Sequence, residues 1–132
     1  MNDDAEIREL ISTLARRMRA RDVSAIMDLM TDDIVFMPTS TNDHVVPAYV
    51  GFDDVRGMFE QLMSTLEIEI RQAIAEIEVC GDVAWVRDTY TETTRVDGGP
   101  TLHICGAEMM VLRRVDGSWR FARYIFSTVP VT

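Results

Sequence analysis

The residue with the most unusual setting in the chain is Glu108, in the run LHICGAEMMVLRRV that spans 102–115. It follows Gly106-Ala107 and precedes Met109-Met110-Val111-Leu112. Burying a carboxyl among apolar side chains disfavours the charged form. A carboxyl entering a pocket beside Met110 and Leu112 is therefore a candidate general acid or base, or a hydrogen-bond donor to a ligand carbonyl. The competing reading is a structural ion pair with a cross-strand arginine, Arg87 or Arg123. Tyr124 shares a strand face with Ala122 and Phe126, where its phenol would orient a ligand or simply pack with its hydroxyl at the rim. His103 is the one histidine in a strand. Alternation along a strand puts 103 and 108 on opposite faces, and a bulge at Gly106 would bring them together as a proton-transfer dyad. Without it, His103 is an edge or dimer-interface residue.

The other candidates are positional. Met37, Met58 and Met110, among nine methionines, would give a soft lining suited to apolar ligands of varied shape, although methionine is more often core filler. With Tyr49, Arg87, Tyr124 and Phe126 they make up the expected pocket wall. His44 and Tyr49 lie in or after a long loop and are candidates for a lid or for plain solvent exposure. No metal site is expected. Cys80 and Cys105 form no C-x-x-C, and His44 and His103 lie far apart in the chain. Asp32-Asp33 reads as a turn before a strand. Gly-x-Ser-x-Gly, P-loop and GxGxxG signatures are missing.

The elements that would position these groups follow from periodicity. Ile7, Leu10, Ile11, Leu14 and Met18 make one helical stripe, with Asp3 and Glu6 as a variant capping box. Asp22 reads as the N-cap of a short helix carrying Val23, Ile26, Met27 and Met30. A short strand over 34–37 ends at Pro38. Residues 39–50 have no period and form a loop of a length that often serves binding. A third helix begins near Asp53 and turns Val55, Phe59, Leu62, Met63 and Leu66 inward. From Glu67 the period becomes two, and a parity switch predicts a bulge near Ala75-Glu76. Cys80-Gly81-Asp82-Val83 reads as a hairpin turn with glycine first, and Asp116-Gly117 as a type I′ turn, which needs positive φ at both positions. The order α-α-β-α-β-β-β-β excludes βαβ alternation. It predicts an α+β fold in which the helices pack on a strongly bent antiparallel sheet.

At 132 residues, 47% of them apolar, the chain suits one domain spanning 1–132 with a real core. The net charge is −9, which repels phosphate backbones and anionic membranes, so neither nucleic acid nor membrane is an expected partner. No apolar run approaches the roughly 18 residues that span a bilayer. The acidic start MNDDAEIREL is unlike a signal peptide, so a cytoplasmic location is expected, with both cysteines as buried thiols. Trp119, Phe121 and Ile125 against Tyr124 and Phe126 make the last strand apolar on both faces, and Met109 and Val111 do the same for its neighbour. Helices cover one face only, so homodimerisation through the outer face is expected.

In its order of elements and in specific segments the chain resembles the nuclear transport factor 2-like superfamily, in its SnoaL-like and ketosteroid isomerase-like branch. Those segments are Arg21-Asp22, Asp32-Asp33-Ile34-Val35, Tyr49-Val50-Gly51, Gly81-Asp82-Val83-Ala84 and Asp116-Gly117-Ser118-Trp119-Arg120. The resemblance implies a cone-shaped, cystatin-like roll of three N-terminal helices and a bent sheet with an internal pocket, commonly homodimeric. Its members include isomerases, cyclases and lyases that need no cofactor, and also non-catalytic modules. Of the ketosteroid isomerase triad, Met37 stands where the base aspartate would be and Leu14 where the helix-1 tyrosine would be. Only the acid on the penultimate strand is kept, at or next to Glu108. Two functions remain open: a cofactor-independent isomerase, cyclase or lyase acting on a small hydrophobic carbonyl compound, with Glu108 as acid/base, and a non-catalytic binding or dimerisation module.

Overall fold

The computed structural model describes residues 2–39 and 47–131. His44 and most of the expected lid loop lie outside the described residues. Helix α1 spans Asp3–Arg19, α2 Val23–Met27 and α3 Phe52–Thr65. The strands are β1 Met30–Pro38, β2 Tyr49–Val50, β3 Leu66–Cys80, β4 Val83–Val96, β5 Thr101–Val115, β6 Ser118–Phe126 and β7 Val129–Pro130. The third helix thus follows β1 and β2 and is not N-terminal with the other two.

The apolar stripe of α1 is buried through Ile7, Leu10, Ile11 and Leu14. Its cap is Asn2, whose side chain accepts from the Ala5 amide at 2.8 Å, so the expected Asp3 sits one position inside the helix. Asp22 caps α2 as expected, accepting from the Ala25 amide at 3.1 Å.

The sheet order is β2-β1-β6-β5-β4-β3, with β7 added beside β5. β3 through β6 form the antiparallel meander that the turns predict, but β1 runs parallel to β6. The sheet is therefore mixed. Because the first long strand must lie beside the last one to close the core, its pairing direction is set by the chain's route and by no local signal. Gly81 has φ +61°, and Asp116 and Gly117 have φ 51° and 80°, so both turns use the left-handed conformations their sequences favour. The β3 register shifts between Ile74 and Glu76, where the parity switch places a bulge. A second bulge, between Val111 and Leu112 opposite Ala122, has no counterpart in the periodicity.

That second bulge changes which residues face the core. Trp119 and Phe121 are both buried inside with Tyr124, so they do not contribute to the outer face. Asp32 and Asp33 lie within β1, which begins four residues earlier than expected because Met30 is buried and pairs with Phe121. Asp33 is clamped from the sheet by Arg113, at 2.9 Å. Hydrogen bonds from Thr31 and Arg113 hold its carboxyl below the usual range. Cys80 is exposed and Cys105 half-buried, and both are free thiols, so the expected burial of both does not hold. No helix among the described residues is long and apolar enough to cross a membrane.

Candidate functional site

Alternation in β4 places Ala84, Val86, Asp88, Tyr90 and Thr94 on the inner face, all buried. In β5 the inward residues are Glu108, Met110 and Leu112. The register aligns them into rungs that cross the sheet. One rung reads Ile74, Asp88, Glu108 and Phe126, and the next Gln72, Tyr90 and Gly106. On the other side Val86, Met110 and Tyr124 form a rung that continues to Phe36 of β1. A polar patch thus sits mid-sheet under the helices, bounded by apolar rungs.

Glu108 is 6% exposed. The Tyr124 hydroxyl donates to its Oε2 at 2.5 Å, and the Gln72 amide donates to its Oε1 at 2.9 Å. No arginine takes part. Arg87 lies on the outer face and pairs with Glu76 at 2.8 Å, and Arg123 donates to the Asp33 carbonyl at 2.9 Å. The expected ion pair is therefore not formed, and Arg87 is not a pocket residue.

Directly across from Glu108 lies Asp88, 0% exposed. Among the described residues, none donates a hydrogen bond to either of its oxygens. Burial, and then the charge of Glu108, push its carboxyl up from the usual 3.8 to about 8. Asp88 is accordingly neutral at pH 7, and its proton can go to Glu108. The Glu108 carboxyl is thus held by donors from Tyr124 and Gln72, with Asp88 facing it across the strand pair. Burial and the nearby Glu108 also raise Tyr124 and Tyr90, keeping both phenols protonated. Glu92 is raised by burial, and partly held down by a hydrogen bond from Thr94.

A cavity of about 310 Å³ opens over this patch. Its wall is Leu14 and Met18 from α1, Met58, Phe59 and Leu62 from α3, and Phe36, Tyr124 and Phe126 from the sheet. Glu108, Tyr90, Glu92 and Thr94 supply its polar lining. Phe36 stacks on Tyr124, with ring centres 4.5 Å apart and planes within 10°. Leu14, at the helix-1 position where the resembling isomerases carry a tyrosine, is part of the apolar wall.

The sequence-derived candidates divide accordingly. Glu108, Met58, Tyr124 and Phe126 meet at the cavity. Met110 lies fully inside the core and is not part of the wall. Tyr49 is half-buried in β2, at a second cavity of about 440 Å³ that adjoins the first and that it shares with Pro38 and Gln61. Met37 is 43% exposed on the outer face, since Phe36 takes the inward parity. His103 is exposed on the outer face opposite Thr93, because the β4–β5 register runs unbroken through Gly106 and no bulge brings it to Glu108. The glycine serves another purpose. A Cβ there would come within 1.8 Å of the Ser127 carbonyl and 2.8 Å of the Tyr90 ring. Tyr90 donates to that same carbonyl at 2.7 Å.

Sequence reasoning missed Asp88 and Gln72. The signal for Asp88 was present: it interrupts the apolar parity Ala84, Val86, Tyr90. Gln72 gave none. Among the described residues no group of three or more His, Cys, Asp or Glu side chains is arranged to hold a metal ion.

The fold, a mixed sheet packed with three helices, has known counterparts. Residues 7–132 match the family of the SnoaL-like domain, and the chain belongs to it. In structure it is similar to a conserved protein from Planctomyces limnophilus at 25% identity and TM-score 0.87, with 98% of each chain covered. A ketosteroid isomerase-like protein from Erwinia carotovora atroseptica matches at 26% identity and TM-score 0.82, again over 98% of each chain. An NTF2-like protein with a cystatin-like fold from Novosphingobium aromaticivorans shares 22% identity at TM-score 0.77, over 96% of this chain and 82% of that one. No functionally curated protein shows significant similarity. The chain is thus a SnoaL-like domain whose fold is shared with proteins described as ketosteroid isomerase-like and NTF2-like.

Proposed function

We propose that the chain is a cone-shaped roll that binds a small hydrophobic molecule in its interior cavity. In this reading it acts as a cofactor-independent isomerase, cyclase or lyase, with Glu108 as the proton-accepting base. The observation that carries the proposal is the setting of Glu108: a carboxyl at the wall of an apolar cavity, oriented by Tyr124 and Gln72 and by no arginine. An acceptor held in one orientation, with little water around it, is what proton abstraction from a bound carbon or oxygen acid requires. Neutral Asp88 behind it spreads the charge over two carboxyls. The likeness to a ketosteroid isomerase-like protein supports proton-transfer chemistry of this kind, while Leu14 and Met37 weigh against a steroid substrate. A ligand carbonyl would take the Tyr124 hydrogen bond away from Glu108, whereas a donor group meets the carboxylate as it stands.

The second reading, a binding or dimerisation module without chemistry, is favoured by the apolar Leu14 and the outward Met37. Hydrogen–deuterium exchange into 2-tetralone, a hydrophobic ketone with acidic α-protons, separates the two. Exchange above the buffer rate that is lost in Glu108→Gln supports the enzyme. Tetralone that binds without exchanging supports the module.

The proposal includes a homodimer formed through the outer face, where Met37, Ile125 and Met109 are adjacent in register and each about two-fifths exposed. It also keeps the cytoplasmic location that the composition suggests.

A further inference from the structure

The cavity's polar lining is one-sided. Among the described residues, three of its hydroxyls already donate to acceptors of the protein. Tyr124 donates to Glu108, Tyr90 to the Ser127 carbonyl and Thr94 to Glu92. Only the exposed Thr128 lies outside that pattern. What remains for a ligand is acceptor oxygen, chiefly the carboxylates of Glu108 and Glu92. Among the described residues no arginine or histidine lines the cavity, and the chain contains no lysine. The arginines sit on the outside, paired with Asp4, Glu9, Glu60, Glu76 and Asp97 among others.

Behind this lining is Asp88, a fully buried side chain with no donor among the described residues, pointing into the same patch as Glu108. Asp88, Tyr90, Glu92 and Tyr124 are all shifted upward, and the charge of Glu108 contributes to each shift. Two buried carboxyls thus face each other across the strand pair, and among the described residues no cationic side chain lines the cavity beside them. Such a site repels carboxylates and phosphates and rewards a cation that brings its own hydrogen-bond donors. Aromatic faces stand beside the acid, with Phe36 and Tyr124 stacked and Phe126 edge-on to both. Faces of this kind attract a desolvated ammonium.

We infer that the ligand is a hydrophobic amine, its body among Leu14, Met58, Phe59 and Leu62 and its ammonium on the carboxylate of Glu108. This rests on the reading of the cavity as a small-molecule site and names the chemical class that site selects. Three naphthalene probes with one body and different heads test it: 2-naphthylmethylamine, 2-naphthalenemethanol and 2-naphthoate, each titrated calorimetrically at pH 7.

The amine should bind about tenfold or more tightly than the alcohol, as a charge-assisted hydrogen bond requires, and the naphthoate should not bind. Glu108→Gln keeps the shape and the Tyr124 contact and should abolish the amine's advantage while leaving alcohol binding in place. If that variant fails to fold, Glu92→Gln, at a partly exposed position, should reduce the advantage severalfold. Amine binding should also release protons, seen as a dependence of the heat on buffer ionisation enthalpy, because a cation beside Glu108 draws the proton off Asp88. Alcohol binding as tight as amine binding, or an amine advantage that survives both substitutions, overturns the inference and leaves the hydrophobic site standing. Failure of all three probes to bind overturns both.

Discussion

Replacing Asp88 with asparagine should change the pH dependence of stability in a direction fixed by the geometry. In the fold the Asp88 carboxyl is raised from the usual 3.8 to about 8, so the folded state retains a proton that the unfolded chain gives up. Stability attached to that proton is fully present below the unfolded value and is lost as the pH rises towards the folded one. Between pH 5 and pH 9 the difference amounts to about three pKa units, or about 4 kcal/mol at about 1.4 kcal/mol per unit. Asp88→Asn preserves the shape and cannot ionise, so it removes this dependence. With a urea m-value on the order of 2 kcal/mol per molar, the variant's midpoint should gain about 2 M on the wild type between the two pH values. Urea melts followed by Trp fluorescence at unit steps of pH would measure it. Midpoint curves that run parallel for the two proteins would mean that Asp88 titrates like an exposed carboxyl, and the account of a neutral acid behind Glu108 would fail.

Three further outcomes follow from other contacts. Gly106→Ala should destabilise by about 1–3 kcal/mol, the usual range for overpacking, since the Ser127 backbone must move away from a Cβ placed 1.8 Å from its carbonyl. Urea melts would measure the loss, and proteolysis should cut the C-terminal segment faster in the variant than in the wild type. Tyr124→Phe removes a donor to a buried carboxylate, and should cost about 1.5–3 kcal/mol of stability at pH 7. An unchanged thermal midpoint would show that the 2.5 Å contact carries no weight. For the proposed dimer, sedimentation at micromolar concentration should give twice the 15.0 kDa chain mass, and Met109→Glu should give the monomer. A wild-type monomer at that concentration removes the proposal.

What the sequence determined by itself is local. The α1 stripe, the Asp22 cap, the Gly81 and Asp116-Gly117 turns and the bulge near Glu76 are each specified by residues a few positions apart, so periodicity and turn chemistry are enough to find them. Glu108 could be singled out for the same reason, as an acid in an apolar run. The site around it is not local. Gln72, Asp88, Tyr124 and Phe126 reach Glu108 from three other strands, and which of them do so depends on register across the sheet. A strand apolar on both faces does not say which face is inside, and a bulge opposite Ala122 turned Trp119 and Phe121 inward against the simple alternation. Met37 and Arg87 were lost from the pocket for the same reason, as one step of parity carries a side chain to the opposite face. The parallel pairing of β1 with β6, and Gly106 as the gap through which Tyr90 meets Ser127, exist only once the chain has closed on itself. Tertiary structure alone made Glu108 half of a buried carboxyl pair, because its partner Asp88 lies twenty residues away, directly across the strand pair.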